Sequence, residues 1–443
     1  MIYWAPFLHF YQPPTQFHGV LKKICKESYR PLVKLFEAHR GAKVTINICG
    51  VLTELLMDHG AEDVVYGMKE LADRGQLEFV GSSKYHAILP LISTDEVRRQ
   101  ITLNHKANRF FFKKAYRPKG FFPPEMCYSK NIIKPIRDGG HSWMLLSGKA
   151  CNKPWPIDMV YRAKSGDAEI SVLFRDDLLS NKISFHNIDS KGFINHLRKI
   201  YSERNSPNKS APDKSGQKDM YVITAMDAET FGHHIQNWEK IFLEEVYEAV
   251  AGDKRFTQIK QRKDLAKQHK QILSGKKADE VKVVTLSELF KIFPKRESIE
   301  PVPSSWSSTD EDIQQKNYYP LWKDPSNEVH KLQWEHAGIC KDLVMKLGHF
   351  TSDNDEYKKY SDMARGLLDR ALYSCQWWWA SKRPMWDINL INKGLLVQEE
   401  VIFNAYKAIL LSPMPDKEKK RFYYKVVVAR DVSDKIRDLL FSK

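Results

Sequence analysis

Two acidic residues follow an apolar stretch at a spacing that could support acid–base chemistry. Residues 221–226 (Tyr-Val-Ile-Thr-Ala-Met) are apolar and partly β-branched, which predicts a buried strand. Asp227 and Glu229 come directly after it, and since residues two apart on an extended chain point the same way, both carboxylates would face one side. A glycine and two histidines complete the segment, which ends at His234. This ending is typical of the active rim of a parallel α/β barrel, although solvated acids at a strand end would have the same composition.

A third carboxylate, Glu125, ends another apolar stretch. Residues 119–124 read Lys-Gly-Phe-Phe-Pro-Pro, and Met126 follows the acid. Burial among such neighbours would raise the pKa of the Glu125 carboxyl unless a positive charge compensated it. Pro-Pro-Glu is also a favourable helix start, so Glu125 could instead be an acid in the first turn of a helix.

Neutral and basic polar residues accompany the other predicted strands. His9 and Gln12 follow the first strand, Asn47 lies in the second, His86 follows the third and Arg175 follows the sixth. In a parallel barrel the carboxyl ends of all strands lie on one face. Carboxylates among neutral groups that bind hydroxyls indicate glycoside chemistry, with one acid as nucleophile and another as general acid and base. Those two carboxyl groups would lie about 5–5.5 Å apart in a retaining enzyme.

The elements that must position these residues alternate between strands and helices. Such alternation predicts βα units and a parallel sheet closed into a barrel. The predicted strands are residues 2–8, 43–49, 77–81, 119–124, 142–146, 169–174, 221–226 and 281–286, and the predicted helices between them include residues 29–39, 51–57, 64–71, 94–111 and 193–203.

The pattern changes after residue 293, where prolines and serines replace the apolar periodicity. We therefore predict a catalytic barrel over residues 1–295 with a mobile loop at about 205–219, a connector over 296–326 and an α-helical domain over 327–443. Predicted helices of that domain cover 356–379, 393–411 and 416–440. Three consecutive tryptophans at 377–379 cannot all face one core from a helix, so at least one should reach a surface or a ligand.

The composition limits the kinds of binding partner and the cellular compartment that we expect. The formal net charge is +15, and its densest contribution is the run at 254–277, which we interpret as a solvated helical face rather than a nucleic-acid surface. Six cysteines form no CxxC pair or regular framework, and we expect neither a leader peptide nor a membrane span. A reducing cytoplasm is the simplest inference, and the sequence predicts no oligomeric state.

Four ordered motifs give the chain a resemblance to glycoside hydrolase family 57. The family's His-x-His-Gln-Pro looks like residues 9–13, with Tyr11 where a second histidine is usual. Its second motif looks like residues 75–90, its third like 122–125, and its Asp-x-Glu-x-x-Gly like 227–232. The resemblance covers the barrel and the start of the helical half.

By this resemblance Glu125 is the nucleophile and Asp227 the general acid and base of a retaining enzyme on α-glucans. His9, Gln12 and His86 would hold the sugar at the cleavage point, and Glu229 and His234 would orient the acid. Asn47 and Arg175 complete the predicted binding set. The implied fold is an incomplete parallel (β/α)7 barrel with a helical domain that closes the cleft, and neither metal nor cofactor is needed. A tryptophan from the helical domain should reach the cleft, and Trp378 is our candidate.

The sequences at residues 85–90 and 227–234 are most similar to those of the α-amylase and amylopullulanase branch of the family. We also expect no room for the β-sandwich that is typical of its glucanotransferase branch. Hydrolysis of α-1,4-linked glucans is therefore the predicted activity, and transfer by a branching enzyme or 4-α-glucanotransferase is the alternative. A catalytically silent glucan-binding protein is a further alternative. A metal-dependent deacetylase or mannosidase would use His9, His233, His234 and Asp227 as ligands.

Overall fold

The structure is a computed structural model that describes residues 1–206, 218–251, 281–350 and 352–441. Most of the predicted mobile loop at 205–219 and all of the basic run at 254–277 lie outside these residues. Within the described ranges, no helix combines the length and apolarity that a membrane crossing requires.

The strands and helices of the described residues follow the chain in this order. The strands are β1 (Ile2–Phe10), β2 (Val44–Ile48), β3 (Leu77–Val80), β4 (Gly120–Phe121), β5 (Trp143–Leu146), β6 (Val160–Ser165), β7 (Ala168–Phe174), β8 (Met220–Asp227), β9 (Val281–Val283) and β10 (Arg296–Ser298). The α-helices are α1 (His18–Ile24), α2 (Arg30–Ala38), α3 (Gly50–Asp58), α4 (Glu62–Asp73), α5 (Thr94–Phe112), α6 (Ile133–Asp138), α7 (Asp177–Ser184), α8 (Ser190–Arg204), α9 (Glu245–Ala251), α10 (Leu286–Ile292), α11 (Asp310–Gln314), α12 (Glu328–Leu347), α13 (Asp355–Ala371), α14 (Cys375–Trp378), α15 (Ile388–Leu411) and α16 (Asp416–Phe441).

Seven parallel strands form the predicted barrel. β1 lies between β2 and β8, and β3 extends the sheet beyond β2. A single bridge between Gly81 and Phe121 joins β3 to β4, and β5 and β7 follow in parallel. The amide of Asp176 donates to the carbonyl of Ile223 at 2.8 Å, which links the end of β7 back to β8. The (β/α)7 fold class is therefore confirmed, and the thin junctions at β3–β4 and β7–β8 make the barrel incomplete.

Side-chain alternation explains how the barrel aims its residues. Along β8, Tyr221, Ile223 and Ala225 belong to the core inside the barrel, whereas Met220, Val222 and Met226 pack outside it against helices. Along β1 the interior residues are Ala5 and Phe7. With a period of two, the next interior positions are Asp227 on β8 and His9 on β1.

Two parts of the sheet differ from the prediction. β6 is antiparallel to β7, and β10 adds to its outer edge, so both lie outside the barrel ring. The predicted strand at 281–286 extends only to Val283, and α10 begins at Leu286. Thr285 and Glu288 form a capping box at that helix start, a local signal that overrides the short apolar run.

The C-terminal half is helical, as predicted, but its helix boundaries differ. The predicted helix at 356–379 is interrupted after Ala371, where the Gln376 side chain donates to the carbonyls of Ala371 and Tyr373 and replaces helical bonding. The predicted helix at 393–411 begins earlier, at Ile388, because the Asp387 side chain caps it. The domain boundaries at 295 and 326 stay a prediction.

Candidate active site

A cavity of about 1630 Å³ opens where the barrel strands end. Its walls come from the barrel, from residues 306–310 and from the helical half. Most of the predicted site residues line it, namely His9, Gln12, Glu125, Arg175, Asp227, Glu229, His234 and Trp378. Parallel pairing explains part of this convergence, because His9 is in register with Asp227 on one side and with Asn47 on the other.

Glu125 lies in a single turn of 3-10 helix, not at the start of an α-helix. Its backbone is left-handed (φ 58°, ψ 18°), a conformation that is strained for a residue other than glycine and that clusters at functional sites. The indole Nε1 of Trp306 donates to Glu125 Oε2 at 2.7 Å. The side chain is 20% exposed, and it lines the cavity. Burial and the charge of Asp227 raise the pKa of Glu125 to about 8.

Glu229 is buried beside Asp227 and is held by two donors. The Tyr29 hydroxyl and Gln12 Nε2, the latter at 2.7 Å, both donate to Glu229 Oε1. Burial and the charge of Asp227 raise the pKa of Glu229 above its ordinary value, whereas these donors lower it. Gln12 thus lines the cavity and also holds the Glu229 carboxylate in place.

The loop after Asp227 depends on one glycine. Gly232 has a φ of 103°, and a Cβ atom there would overlap the carbonyl of Glu27. The tight path brings the His234 amide to the Glu229 carbonyl at 2.8 Å. Burial lowers the pKa of His234, which favours its neutral form. The loop therefore presents an acid and a neutral histidine on one wall.

Asn47 and His86 were predicted to bind the sugar, but both are fully buried behind the cavity lining. The Asn47 amide oxygen lies 2.7 Å from His9 Nδ1, so Nδ1 donates to it and Nε2 is the remaining ring nitrogen of His9. His86 stacks on Tyr11 at 3.9 Å and on His9 at 4.8 Å. These positions correct the prediction of direct contact, because each residue supports a side chain that faces the cavity.

Arg175 lines the cavity, yet its donors are used within the wall. Its Nε donates to the Ala225 carbonyl at 2.7 Å, and its two terminal nitrogens bond Asp177 and Asn181 at 2.8 and 2.9 Å. The guanidinium carbon lies 5.6 Å from the ring centroid of Trp306. Arg175 thereby ties β7, β8 and α7 together beneath the site.

The three tryptophans at 377–379 have different roles. Trp377 is fully buried and stacks on Trp334, with ring centroids 4.1 Å apart. Trp378, the candidate for the cleft tryptophan, is half-buried and lines the cavity. Trp379 also contributes to the lining but is 6% exposed.

Trp306 and several other residues of the cavity lining were not predicted from the sequence. Trp306 falls in the predicted connector, where an isolated aromatic residue among serines was the available signal. Other lining residues that were not predicted include Phe17, Lys149, Phe185, Arg383 and Lys393.

The alternative metal site does not assemble from its proposed ligands. His233 Nδ1 lies 2.6 Å from Glu27 Oε2, in a pair separate from His9 and Asp227. Among the described residues, the grouping whose potential ligand atoms all lie within 4.8 Å of one another is His39, Glu244 and Glu248.

Comparison with known proteins identifies related sequences and folds. A family model described as glycosyl hydrolase family 57 matches residues 7–273. An α-amylase of Pyrococcus abyssi is 27% identical over 207 residues, which cover 45% of this chain and 30% of the relative. A 4-alpha-glucanotransferase of Thermococcus kodakarensis is 24% identical over 260 residues, covering 56% of this chain and 36% of the relative. The chain thus matches about a third of the length of these relatives.

A solved structure shares the fold over nearly the whole chain. A branching enzyme from Thermococcus kodakaraensis superposes with a TM-score of 0.68 at 15% identity, covering 97% of this chain and 95% of that one. At this identity the likeness establishes the fold.

Proposed function

We propose, since this chain belongs to glycosyl hydrolase family 57, that it is a retaining α-glucan hydrolase of the α-amylase kind. Glu125 is its nucleophile and Asp227 its general acid and base. The observation that carries the proposal is that both carboxylates line one cavity, with a tryptophan donor on the first and a neutral histidine in register with the second. Perturbed acids in such a cavity are typical of active sites.

The first step forms a covalent glycosyl-enzyme. A carboxylate oxygen of Glu125 attacks the anomeric carbon, and the bond from that carbon to the glycosidic oxygen breaks. Asp227 gives its proton to the departing oxygen, so the shortened chain leaves as an alcohol. This step requires an ionised Glu125 and a protonated Asp227.

The second step releases the sugar. Asp227, now a carboxylate, accepts a proton from water as the water oxygen attacks the anomeric carbon. The bond to Glu125 breaks and returns its electron pair to the carboxylate. A sugar hydroxyl in place of water would give transfer instead of hydrolysis. The relatives named as glucanotransferase and branching enzyme keep this outcome as the second candidate.

The surrounding residues fit a neutral, hydroxyl-rich ligand. His9 Nε2 would accept from a sugar hydroxyl, Gln12 and His234 offer further polar contacts, and Trp378 offers an apolar ring face. We propose that residues 327–443 form the helical domain that closes the cleft. In support, this part of the chain contributes Trp378, Trp379 and Lys393 to the cavity wall.

Two finer points belong to this proposal. Cleavage of α-1,6 links, the amylopullulanase activity, would use the same two carboxylates. A cytoplasmic location is supported by the six cysteines, all of which are free thiols.

Product analysis tests the function. We would incubate wild type and Glu125→Ala with soluble starch, amylose, pullulan and maltooligosaccharides, and follow reducing ends and chain lengths. Reducing ends that rise with wild type alone establish hydrolysis that depends on Glu125. Glu78→Gln is a matched control, because Glu78 is a half-buried barrel acid that accepts from Thr45 and Ser287 instead of lining the cavity.

Other outcomes change the assignment. Redistributed chain lengths at nearly constant reducing ends would favour transfer. Release of linear chains from pullulan would extend the activity to α-1,6 links. Binding of glucans without turnover in either protein would favour a silent binding protein. The absence of both turnover and binding with all these glucans would contradict the proposal.

A further inference from the structure

Trp306, in the predicted connector, contacts Glu125 through both its side chain and its backbone. We propose that Trp306 is a positioning residue that aims the attacking carboxylate of Glu125 and stabilises its ionised form. This inference rests on the proposed function and adds to it a residue outside the barrel strands. Trp306 acts through Glu125 and not through contact with the substrate.

Two hydrogen bonds from one residue hold Glu125. The indole Nε1 donates to Oε2 at 2.7 Å, and the Trp306 amide donates to the Glu125 carbonyl at 3.1 Å. The left-handed backbone of Glu125 persists only if its surroundings over-determine it, and the amide contact contributes to that. The indole contact fixes the carboxyl rotamer as well.

Trp306 is itself held rigidly. Its ring packs edge-on against Phe122 and His9, with centroids 5.8 and 5.9 Å apart, and the Arg175 guanidinium lies over it. The loop that carries it is closed by Ser308 Oγ, which accepts from the Ser305 amide at 2.8 Å and donates to the Tyr318 carbonyl at 2.8 Å. A donor fixed in this way needs no rearrangement when the reaction begins.

The groups around Glu125 otherwise oppose its ionisation. The charge of Asp227 and burial both raise the pKa of Glu125, and the Trp306 hydrogen bond lowers it. The other titratable neighbours are His86, whose Nδ1 lies 3.8 Å from Oε1, the buried thiols Cys49 and Cys127, and the partly buried thiol Cys375. Burial lowers the pKa of His86 and raises those of the thiols, so these neighbours favour neutral forms.

Trp306 is therefore the neighbour that favours the ionised form of Glu125. An indole N–H only donates, and a hydrogen bond to an ionised acceptor is about twice as strong as one to a neutral acceptor. The bond therefore stabilises the form in which Glu125 has lost its proton. That form is the one that attacks the anomeric carbon.

Trp306→Phe tests the inference, because it keeps an aromatic ring and removes the N–H. We expect kcat on maltooligosaccharides to fall about ten- to a hundred-fold, the range for loss of a hydrogen bond to a charged group. The acid limb of the kcat/KM profile should move to higher pH, since the carboxyl loses a donor that lowered its pKa. Trp143→Phe is the matched control, because it removes an indole bond to Ser287 (3.2 Å) inside the barrel core and should leave the limb in place.

Activated aryl α-maltosides separate nucleophile positioning from acid catalysis. A good leaving group needs no proton, so it should restore much of the turnover of Asp227→Asn but little of the turnover of Trp306→Phe. Wild-type kcat and an unmoved limb in Trp306→Phe would overturn the inference and leave the proposed function intact. A fall in kcat at every pH with the limb unmoved would also overturn it, because a structural role alone gives that result.

Two further outcomes are distinguishable. If Trp306→Phe does not unfold cooperatively near the wild-type temperature, Trp306→Leu is measured in the same way, with the same expected shift of the limb. If wild type has no α-glucan activity, the proposed function fails and the inference fails with it.

Discussion

Two clusters of buried acids in this protein have opposite surroundings. At the rim of the barrel, Glu125 and Glu229 have raised pKa values, because burial and the charge of Asp227 outweigh their neutral donors. Between α5 and α13, Glu96 and Asp369 are more deeply buried than Glu125 but are paired with arginines. Arg365 bonds both oxygens of Glu96 at 2.8 Å, and Arg99 bonds both oxygens of Asp369 at 2.6 and 2.7 Å.

The difference separates acids that stabilise the fold from acids that are available for catalysis. Acids bonded through two nitrogens of an arginine are neutralised in place, and here they join the barrel to the helical half. Acids that line one cavity without such partners are held in a costly state that proton transfer and nucleophilic attack can use. We therefore expect substitutions in the rim cluster to affect activity and substitutions in the paired cluster to affect stability.

The largest expected effect is the loss of activity when Asp227, the proposed general acid at the rim, is removed. Asp227→Asn should lower kcat on starch about 10²- to 10⁴-fold, the usual contribution of general acid–base catalysis, with the unfolding temperature unchanged or raised. Initial rates and thermal unfolding would be measured together. Asp219→Asn, at the opposite end of β8 where Asp219 pairs with the N-terminus at 2.7 Å, is the matched control and should stay active. Activity of Asp227→Asn within a few-fold of wild type would contradict its assigned role.

Loss of an acid in the paired cluster should act on stability instead. Asp369→Ala removes the partner of Arg99, whose side chain is 40% exposed, together with one acceptor of Arg365, and should cost about 1–3 kcal/mol of unfolding free energy. Urea denaturation measures the loss, and activity at 25 °C should remain close to wild type. The exposed pair of Asp342 and Lys425, at 3.1 Å, supplies the control, because Asp342→Ala should cost less than about 1 kcal/mol. Equal stability of the Asp369 and Asp342 variants would remove the contrast.

The pH dependence of stability gives a smaller effect at the rim. The folded pKa of Glu125 is about 8, above its ordinary value of 4.5, so between these values the folded protein keeps a proton that the unfolded chain has released. Stability from this group is present below the unfolded pKa and is lost as pH rises towards the folded pKa. Glu125→Gln removes this titration, and its unfolding temperature should exceed that of wild type by a few degrees at pH 9 but not at pH 5. Parallel curves across that range would show that Glu125 is not perturbed.

The smallest expected effect concerns the wall of the cavity that the helical half contributes. Trp378→Ala should raise KM for maltooligosaccharides about three- to tenfold with little change in kcat, because it removes a ring face from binding and leaves the acids intact. Trp386→Ala is the control, since the Trp386 ring lies under Lys382 instead of on the cavity wall. An equal rise of KM in both variants would argue for a general disturbance of the helical half.

The sequence predicted the barrel and its rim well because these depend on local patterns. Alternation along β1 and β8 aims His9 and Asp227 inward from the same period that marks the strands. The same reasoning made the strand at 281–286 too long, since a helix with a capping box follows Val283, and it missed β6 and β10, which pair outside the ring. It also assigned Asn47 and His86 to the substrate, because sequence shows that a residue lies near a strand end but not whether another side chain covers it.

The sequence by itself determined the acids, the strands that carry them and the face on which they meet, since these follow from residue type and a period of two. Only the tertiary structure decided which groups surround each acid. Trp306 reaches Glu125 across 181 residues of sequence, and Arg365 reaches Glu96 across 269. No local spacing encodes such contacts, because they arise when the barrel closes and the helical half packs against it. Those long-range contacts distinguish an acid that the fold neutralises from one that it keeps available for chemistry.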